Sequence, residues 1–147
     1  ALIHVQKAAP DGTCRIEGAV FNDLDMALGA KNVIISCEEI VTEKEIRREP
    51  AMNQIPCIIP DAIVLAPFGA HPSQVHNYYD YDRDFLMYYD RISKEDRLYE
   101  DFLQEWVREP TDHYMYLEHL GIKRLMDLRV RRGMNFAVKL TSGERNP

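Results

Sequence analysis

A short apolar run in the first half of the chain limits the possible folds more than any other feature. Residues 32–36 read NVIIS, without alternation between apolar and polar positions. Such a run is typical of a strand that is buried on both faces of a sheet, with helices packed above and below it. Residues 62–65 form a second run of this kind. We therefore expect adjacent central strands, buried on both faces, whose core residues are Val33, Ile34, Ile35, Ile63, Val64 and Leu65.

Strand patterns and short helix patterns alternate over residues 1–68. Residues 1–6 and 14–17 read as strands, and the turn signal Asp11-Gly12 separates them. Alternation of strands with helices indicates an α/β fold, in which helices cover a parallel or mixed sheet.

Two helix starts can be read from the same part of the chain. Asn22 is a residue type that commonly caps a helix, and Gly29 is placed to close that helix. Thr42 and Glu45 form the T-x-x-E pattern of a capping box. The second helix should end before Pro50, because proline disfavours a helical conformation in the residue that precedes it.

The second half of the chain reads as helix almost to its end. Ser93 and Asp96 form an S-x-x-D pattern before an apolar face. Thr111 or Asp112 is placed to cap the next helix, and a last helix is expected over about residues 122–131.

Together these patterns predict part of an open α/β sheet over residues 1–84 and a helical C-terminal extension over residues 85–147. The length of 147 residues is that of about one domain. The chain opens at Ala1 directly on a strand pattern, without an initiating Met, so we expect a piece of a larger chain.

Composition excludes several classes of protein. The formal net charge of −6 argues against nucleic acid as a general partner. No apolar run approaches the roughly 18 residues of a membrane span, and the start of the chain does not read as a signal peptide. Cys14, Cys37 and Cys57 are odd in number and widely spaced, which predicts buried free thiols in a cytoplasmic protein rather than disulfides or a zinc site.

Charge is distributed unevenly along the chain. Residues 121–147 hold seven bases and two acids. We favour solvated helix faces as the explanation, since Lys and Arg are common at helix C-termini. A basic tail that reaches an acidic partner or an anionic cofactor is the alternative.

Residues 69–85, GAHPSQVHNYYDYDRDF, form a polar, Tyr-rich loop after the second apolar run. Ligands in open α/β sheets bind at the carboxyl ends of strands, so Gly69, His71, Tyr78 and Tyr79 are our cleft or interface candidates. The alternative, which we favour from composition, is that the tyrosines fix the loop to the core with their hydroxyl groups in water. For His71 we favour a structural role, in which its ring bonds a backbone carbonyl.

Recognised catalytic motifs are missing. The chain has no G-x-S-x-G, G-x-G-x-x-G, Walker A or H-E-x-x-H pattern. His71 and His76, with acids nearby, lack the tight ligand pairs of zinc sites, so we expect no metal. Glu38 and Glu39 follow the first apolar run, where a catalytic carboxylate is plausible, but we favour a solvated start to the next turn.

Several segments carry a family resemblance: ALIHVQKA, RIEGAVF, AKNVIISCEEIV, EIRREP, GAHPSQVHNYYDYDRDF and EHLGIKRLMDLRV. In order and spacing they resemble the C-terminal half of the alpha subunit of family I CoA-transferases, in particular glutaconate CoA-transferase and related 3-oxoacid CoA-transferases. The resemblance covers about residues 1–130. It departs from the family pattern at Cys57 and Asn77, where small or glycine residues are expected.

The resemblance implies a reaction and a set of partners. Such enzymes move CoA from an acyl-CoA to a free carboxylic acid by a ping-pong route, through a glutamyl-CoA thioester on the beta subunit. A glycine-rich turn in the first half of the alpha subunit helps to stabilise the oxyanion. This chain would then hold no catalytic residue, bind no permanent cofactor and support the site. Its partners would be the N-terminal half of the alpha subunit, together with the beta subunit, and a CoA thioester would be the substrate.

Two other functions remain open at this point. An acyl-CoA hydrolase of the same fold would pass the acyl group to water instead of an acid. A non-catalytic binding or scaffold module would keep the fold without the reaction. The sequence identifies neither the acyl substrate nor the residues that touch CoA.

Overall fold

A computed structural model describes residues 1–130 of the chain. The chain divides into two compact units, Ala1–Gly69 and a second unit that begins at Ala70. The division into a sheet portion over residues 1–84 and an extension over residues 85–147 stays a prediction. The last helix ends at Leu128, before the expected end at about residue 131, because Arg129 has an extended backbone and pairs with Tyr79. Most of the basic tail lies outside the described residues.

The first unit is built on a four-stranded sheet in the order β2-β1-β3-β4. The strands are β1 (Leu2–Ala8), β2 (Cys14–Arg15), β3 (Ile34–Ile40) and β4 (Ala62–Leu65). β1, β3 and β4 are parallel, and β2 is antiparallel to β1. This mixed sheet with helices confirms the predicted α/β class.

Two α-helices and one 3₁₀ turn complete the first unit: α1 (Asp23–Gly29), α2 (Glu43–Ile46) and the turn Pro50–Met52. The helix start predicted at Thr42 is confirmed, because the Thr42 side chain accepts a hydrogen bond from the Glu45 N–H at 3.2 Å. The Asn22 side chain makes no such bond at the start of α1. The predicted helix is present there, but its predicted side-chain cap is not.

The prediction that both apolar runs are buried on both faces is wrong in part. Ile35 is fully buried, but Ile34, Val64 and Leu65 are 41%, 48% and 43% exposed. β4 also lies at an edge of the sheet, not at its centre. Successive side chains of a strand point to opposite faces. An apolar run therefore identifies strand residues but does not show that the described chain covers both faces.

The core of the first unit combines residues from the sheet, α1 and the loops. Its buried members are Ile3, Val5, Ala8, Cys14, Ile16, Ala27, Val33, Ile35, Cys37 and Ile55. Burial raises the pKa of Cys14 to about 12 and that of Cys37 to about 11. Both are free thiols, as predicted, whereas Cys57 is exposed and contradicts the expectation that all three are buried.

The second unit is helical: α3 (Arg83–Ile92), α4 (Asp96–Leu103), α5 (His113–Leu120) and α6 (Ile122–Leu128). A π-helical segment, Gln104–Arg108, continues α4. Asp112 caps α5 by accepting from the Met115 N–H at 2.8 Å, which selects one of the two predicted caps. The predicted Ser93 cap is wrong, since the Ser93 hydroxyl donates to the Asp90 carbonyl at the end of α3.

Aromatic rings fill the interior of the second unit. The Phe85 ring lies 4.8 Å from that of Trp106 and 5.9 Å from that of Phe102, both edge to face.

Among the described residues, no helix is both long and apolar enough to cross a membrane.

Candidate functional site

In the first unit, the turn after β4 is held by a buried carboxylate. Glu38 lies in β3, and its side chain is only 4% exposed. Its Oε2 accepts a hydrogen bond from the Phe68 N–H at 2.9 Å, and its Oε1 lies 2.7 Å from His4 Nε2. A buried carboxylate needs such donors, because an unpaired charge in a protein interior is costly. Glu38 therefore links two parallel strands to the turn that follows a third.

His4 continues this arrangement to a third side chain. Its Nδ1 lies 2.8 Å from the Ser36 hydroxyl, and His4 and Ser36 are register partners on β1 and β3. Because a carboxylate only accepts hydrogen bonds, we assign the proton to Nε2, so that Nδ1 accepts from Ser36. The three groups stand in the order serine, histidine, acid, along one face of the sheet.

Phe68 and Gly69 give the turn its shape. Phe68 has φ of 60°, in the left-handed region that non-glycine residues rarely adopt. A Cβ atom at Gly69 would lie 2.7 Å from the Ala66 carbonyl oxygen and 2.9 Å from His4 Cε1. Only glycine fits there, because the Gly69 backbone packs closely against the Ala66 carbonyl and the His4 ring.

These contacts correct the expectation for Glu38. Both Glu38 and Glu39 lie inside β3, which extends to Ile40, and not beyond the end of the strand. Glu39 is exposed, as expected of a solvated carboxylate, but Glu38 is buried. Alternation along the strand does not explain the difference, since Glu39 shares a face with the buried Ile35 and Cys37. Glu38 is buried on the other face, where Phe68 of the turn and His4 contact its carboxylate.

In the second unit, His71 is enclosed, with its side chain 1% exposed. Its Nδ1 lies 2.6 Å from the Tyr116 hydroxyl and its Nε2 lies 3.1 Å from Asp82 Oδ2. The ring therefore bonds two side chains instead of the expected backbone carbonyl. Burial lowers the pKa of His71, although Asp82 opposes this shift.

Asp82 joins three elements of the second unit. It caps α3 by accepting from the Phe85 N–H at 3.0 Å, and it pairs with the Arg124 guanidinium on α6. Burial would raise its pKa, but hydrogen bonds from Arg124, His71 and Phe85 outweigh burial and lower it to about 2. Burial raises the pKa of Tyr116 to about 12. This network is a fixed polar core and not an exposed catalytic surface.

The loop tyrosines differ from one another. Tyr79 is buried, and its hydroxyl oxygen accepts from the Ala70 N–H at 3.0 Å, so this hydroxyl is not left to water. Tyr78 is half-buried, and its carbonyl accepts from the Val130 N–H at 3.1 Å. Asn77 has φ of 70°, which explains why glycine is expected there.

Sequence reasoning missed five of the residues that build these two networks: His4, Ser36, Asp82, Tyr116 and Arg124. It considered Glu38 but placed this carboxylate in solvent. Of the four candidates, Gly69 lies in the first unit, and His71, Tyr78 and Tyr79 lie in the second. A role for any of them in a cleft or interface stays a prediction. No local signal identifies Glu38, because residues 34–40 read IISCEEI without apolar–polar alternation, and Glu38 lies on the strand face opposite to the buried Ile35 and Cys37.

A metal-binding cluster and a surface cavity are two other kinds of ligand site. Among residues 1–130, no group of three or more His, Cys, Asp or Glu side chains could hold a metal ion. A cavity of about 360 Å³ lies in the first unit, lined by Ala9, Pro10, Asp11, Gly12, Ile40, Cys57, Pro60, Asp61, Ala62 and Ile63. None of the four candidates lines it.

Comparison with known proteins gives a consistent set of relatives. The chain is 48% identical, over 99% of its length, to the alpha subunit of glutaconate CoA-transferase from Acidaminococcus fermentans. It is 31% identical, over 76% of its length, to the alpha subunit of 3-oxoadipate CoA-transferase from Pseudomonas knackmussii. It covers 45% and 39% of these two proteins, so it spans less than half the length of the relatives that it matches. No protein-family model matches the chain.

Solved structures agree with the sequence relatives. The crystal structure of glutaconate coenzyme A-transferase from A. fermentans matches with a TM-score of 0.90 and 48% identity, over 95% of this chain and 44% of that one. A crystal structure of a variant of the decarboxylase AibA/AibB matches with a TM-score of 0.59 and 29% identity. That second match covers 74% of this chain and 38% of the other.

Proposed function

Since this chain belongs to the family of CoA-transferase alpha subunits, we propose that it is part of an enzyme that moves CoA from an acyl-CoA to a free carboxylic acid. The observation that carries this proposal is 48% identity to the glutaconate CoA-transferase alpha subunit over 99% of the chain. The TM-score of 0.90 to the solved glutaconate enzyme supports it. We assign the chain to the C-terminal half of the subunit.

The reaction would use a carboxylate of another chain. A beta-subunit glutamate attacks the thioester carbonyl, CoA leaves as thiolate, and the thiolate then attacks the resulting anhydride to form a glutamyl-CoA thioester and release the first acid. A second carboxylic acid takes CoA by the reverse steps. The role of this chain is to support the site, because the side chains of each buried network hydrogen-bond to backbone groups and to other side chains of the same unit. No residue of this chain is assigned to the chemistry.

The partners would be the beta subunit together with the remainder of this subunit. Leu2, Ile34 and Val64 lie on one face of three adjacent strands, and they are 79%, 41% and 48% exposed. Burial of such side chains stabilises a fold, whereas their exposure in a contiguous strip marks a contact surface. We infer that a further segment of the same subunit covers this strip, since the relatives are more than twice as long as this chain.

A second candidate function follows from one specific match. The decarboxylase AibA/AibB is 29% identical to this chain, so proteins of this fold are not confined to CoA transfer. An acyl-CoA hydrolase or another enzyme of the same fold is therefore the alternative.

We also propose a cytoplasmic location, because Cys14, Cys37 and Cys57 are free thiols.

A product assay separates these functions. The complete alpha subunit, co-produced with its beta subunit, is incubated with acetyl-CoA and glutaconate, and the products are identified by mass spectrometry. Transfer gives glutaconyl-CoA and acetate in equal amounts. Free CoA and acetate, formed at the same rate without glutaconate, would identify a hydrolase. Formation of neither pair of products, with a range of carboxylic acids, would contradict the proposal.

A further inference from the structure

We propose that Glu38, held in place by His4, is a positioning residue for the reaction of the complete enzyme, acting through the turn at residues 66–69. This inference rests on the proposed function, and it adds a role for two residues that no sequence motif identifies. Glu38 would not touch the substrate. It would fix the backbone that carries Gly69, a residue already expected to lie near the cleft.

The first support is the specific pairing of the Glu38 carboxylate. One oxygen accepts from the Phe68 N–H at 2.9 Å and the other faces His4 Nε2 at 2.7 Å. A carboxylate on a central strand thus commits one oxygen to the N–H of a turn that follows the adjacent strand. Hydrogen bonds to a charged, buried acceptor are about twice as strong as neutral ones, so this bond can hold a turn in an unfavourable conformation.

The turn requires such a restraint. Phe68 has φ of 60°, and its side chain is buried. A left-handed conformation costs a non-glycine residue free energy. Without the hydrogen bond to Glu38, Phe68 would therefore shift toward a more favourable backbone conformation. Gly69 follows directly, with its Cα packed so closely on Ala66 and His4 that no Cβ fits. A shift at Phe68 would therefore move the backbone of Gly69.

His4 makes the carboxylate rigid. The imidazole bridges Glu38 and the Ser36 hydroxyl, at 2.7 and 2.8 Å, so its ring plane is fixed from both sides. All three residues stand on rigid parallel strands, and not on a loop, which gives the positional precision that catalysis requires. In a catalytic triad an acid orients a histidine for catalysis. Here the same pair of residue types fixes a backbone conformation instead.

The test compares Glu38→Ala, Glu38→Gln and Glu39→Ala in the complete alpha and beta complex, with acetyl-CoA and glutaconate as substrates. Glu39 is the exposed neighbour on the same strand and serves as the matched control. The turnover number is divided by the folded fraction, measured on the same sample by circular dichroism. A merely structural role would reduce the folded fraction and leave turnover per folded molecule unchanged.

We expect Glu38→Ala to lower kcat per folded molecule at least about tenfold, with a smaller change in KM. Glu38→Gln should retain kcat within about threefold, because its amide oxygen can accept from Phe68 while its NH₂ donates to the other tautomer of His4. Glu39→Ala should match the wild type. Unchanged kcat per folded molecule in Glu38→Ala would overturn the inference.

Two further outcomes are distinguishable. If Glu38→Ala does not yield a folded complex, Glu38→Asp replaces it, because the shorter side chain cannot reach both Phe68 and His4. An undiminished kcat in Glu38→Asp would then overturn the inference. A wild-type complex with no transfer activity would instead refute the proposed function, and the inference would fall with it.

Discussion

Asp82 and Arg124 form an ion pair in the second unit, with Arg124 Nη2 3.0 Å from Asp82 Oδ1, although 42 positions separate them in the chain. The pair joins the start of α3 to α6. The same carboxylate also lies 3.1 Å from His71 Nε2 and accepts a hydrogen bond from the Phe85 N–H at the start of α3. Asp82 thus has three partners: Arg124, His71 and the backbone of Phe85. Stability of this unit should therefore depend on pH.

We expect acid to destabilise the chain in two steps. The pKa of His71 is lowered from 6.5 by burial, and that of Asp82 is lowered from 3.8 to about 2 by its hydrogen bonds, which outweigh burial. A group whose folded pKa is lowered binds fewer protons in the folded state, so it stabilises above its unfolded pKa and loses this contribution as pH falls. Stability should be complete above about pH 6.5, begin to fall below that value, and fall again between about pH 4 and pH 2.

Urea denaturation midpoints, measured from about pH 8 to about pH 2, check this prediction. His71→Gln should flatten the first decline, while the second decline remains. His76→Gln, at an exposed position of the same loop, should keep both. An unchanged slope in the first decline of His71→Gln would show that another group causes that step.

Gly69 and Gly29 provide a matched pair for the turn after β4. Gly69→Ala places a methyl group 2.7 Å from the Ala66 carbonyl oxygen, so we expect a loss of about 1–3 kcal/mol in the free energy of unfolding. Gly29→Ala meets no atom within 4 Å and should change stability by less than about 1 kcal/mol, in the stabilising direction. Chemical denaturation measures both values. Equal effects of the two substitutions would mean that the turn is not packed as observed.

The fold could be predicted where the signal is local. Thr42 and Glu45 lie three positions apart, and their capping bond forms as the sequence indicates. The two apolar runs also lie on adjacent strands, because parallel strands that follow each other through one connection commonly pair. The burial of Ile34 and Val64 could not be predicted, since it depends on what covers the sheet.

The two polar networks could not be predicted because their members are far apart in sequence. His4 and Glu38 are 34 positions apart, and His71 and Tyr116 are 45 apart. No periodicity relates such residues, and the register of β1 against β3 decides which side chains meet. The position of Glu38 is hard to predict for a simpler reason: the apolar run ends at Ser36, but the strand continues to Ile40.

The three cysteines should differ sharply in reactivity. Cys57 is exposed, whereas burial raises the pKa of Cys14 to about 12 and that of Cys37 to about 11. Because the thiolate is the reactive species, iodoacetamide at about pH 8 should modify Cys57 alone in the native chain. Intact mass spectrometry should then show one adduct, and three after denaturation. Cys57→Ser should show none in the native state, and rapid labelling of that variant would contradict the buried positions of the other two.

The exposed strip on the sheet, Leu2, Ile34 and Val64, gives a test of what covers it. Ile34 is 41% exposed in this chain, so Ile34→Lys should lower the melting temperature of residues 1–147 by only a few degrees, on the scale of a surface substitution. In the complete subunit the same lysine would be buried without a partner, and the loss should be several times larger. Ile34→Val serves as the control, since it removes one methylene in both settings.

Thermal unfolding of residues 1–147 and of the complete subunit, each with and without the beta subunit, shows which segment or subunit covers this strip. If the complete subunit alone shows the large loss with Ile34→Lys, a further segment of that subunit covers the strip, as we infer. A large effect that appears only after the beta subunit is added would assign the strip to the interface between subunits. Equal small effects in all settings would show that nothing covers it, because a lysine that stays in water keeps its hydration and costs little.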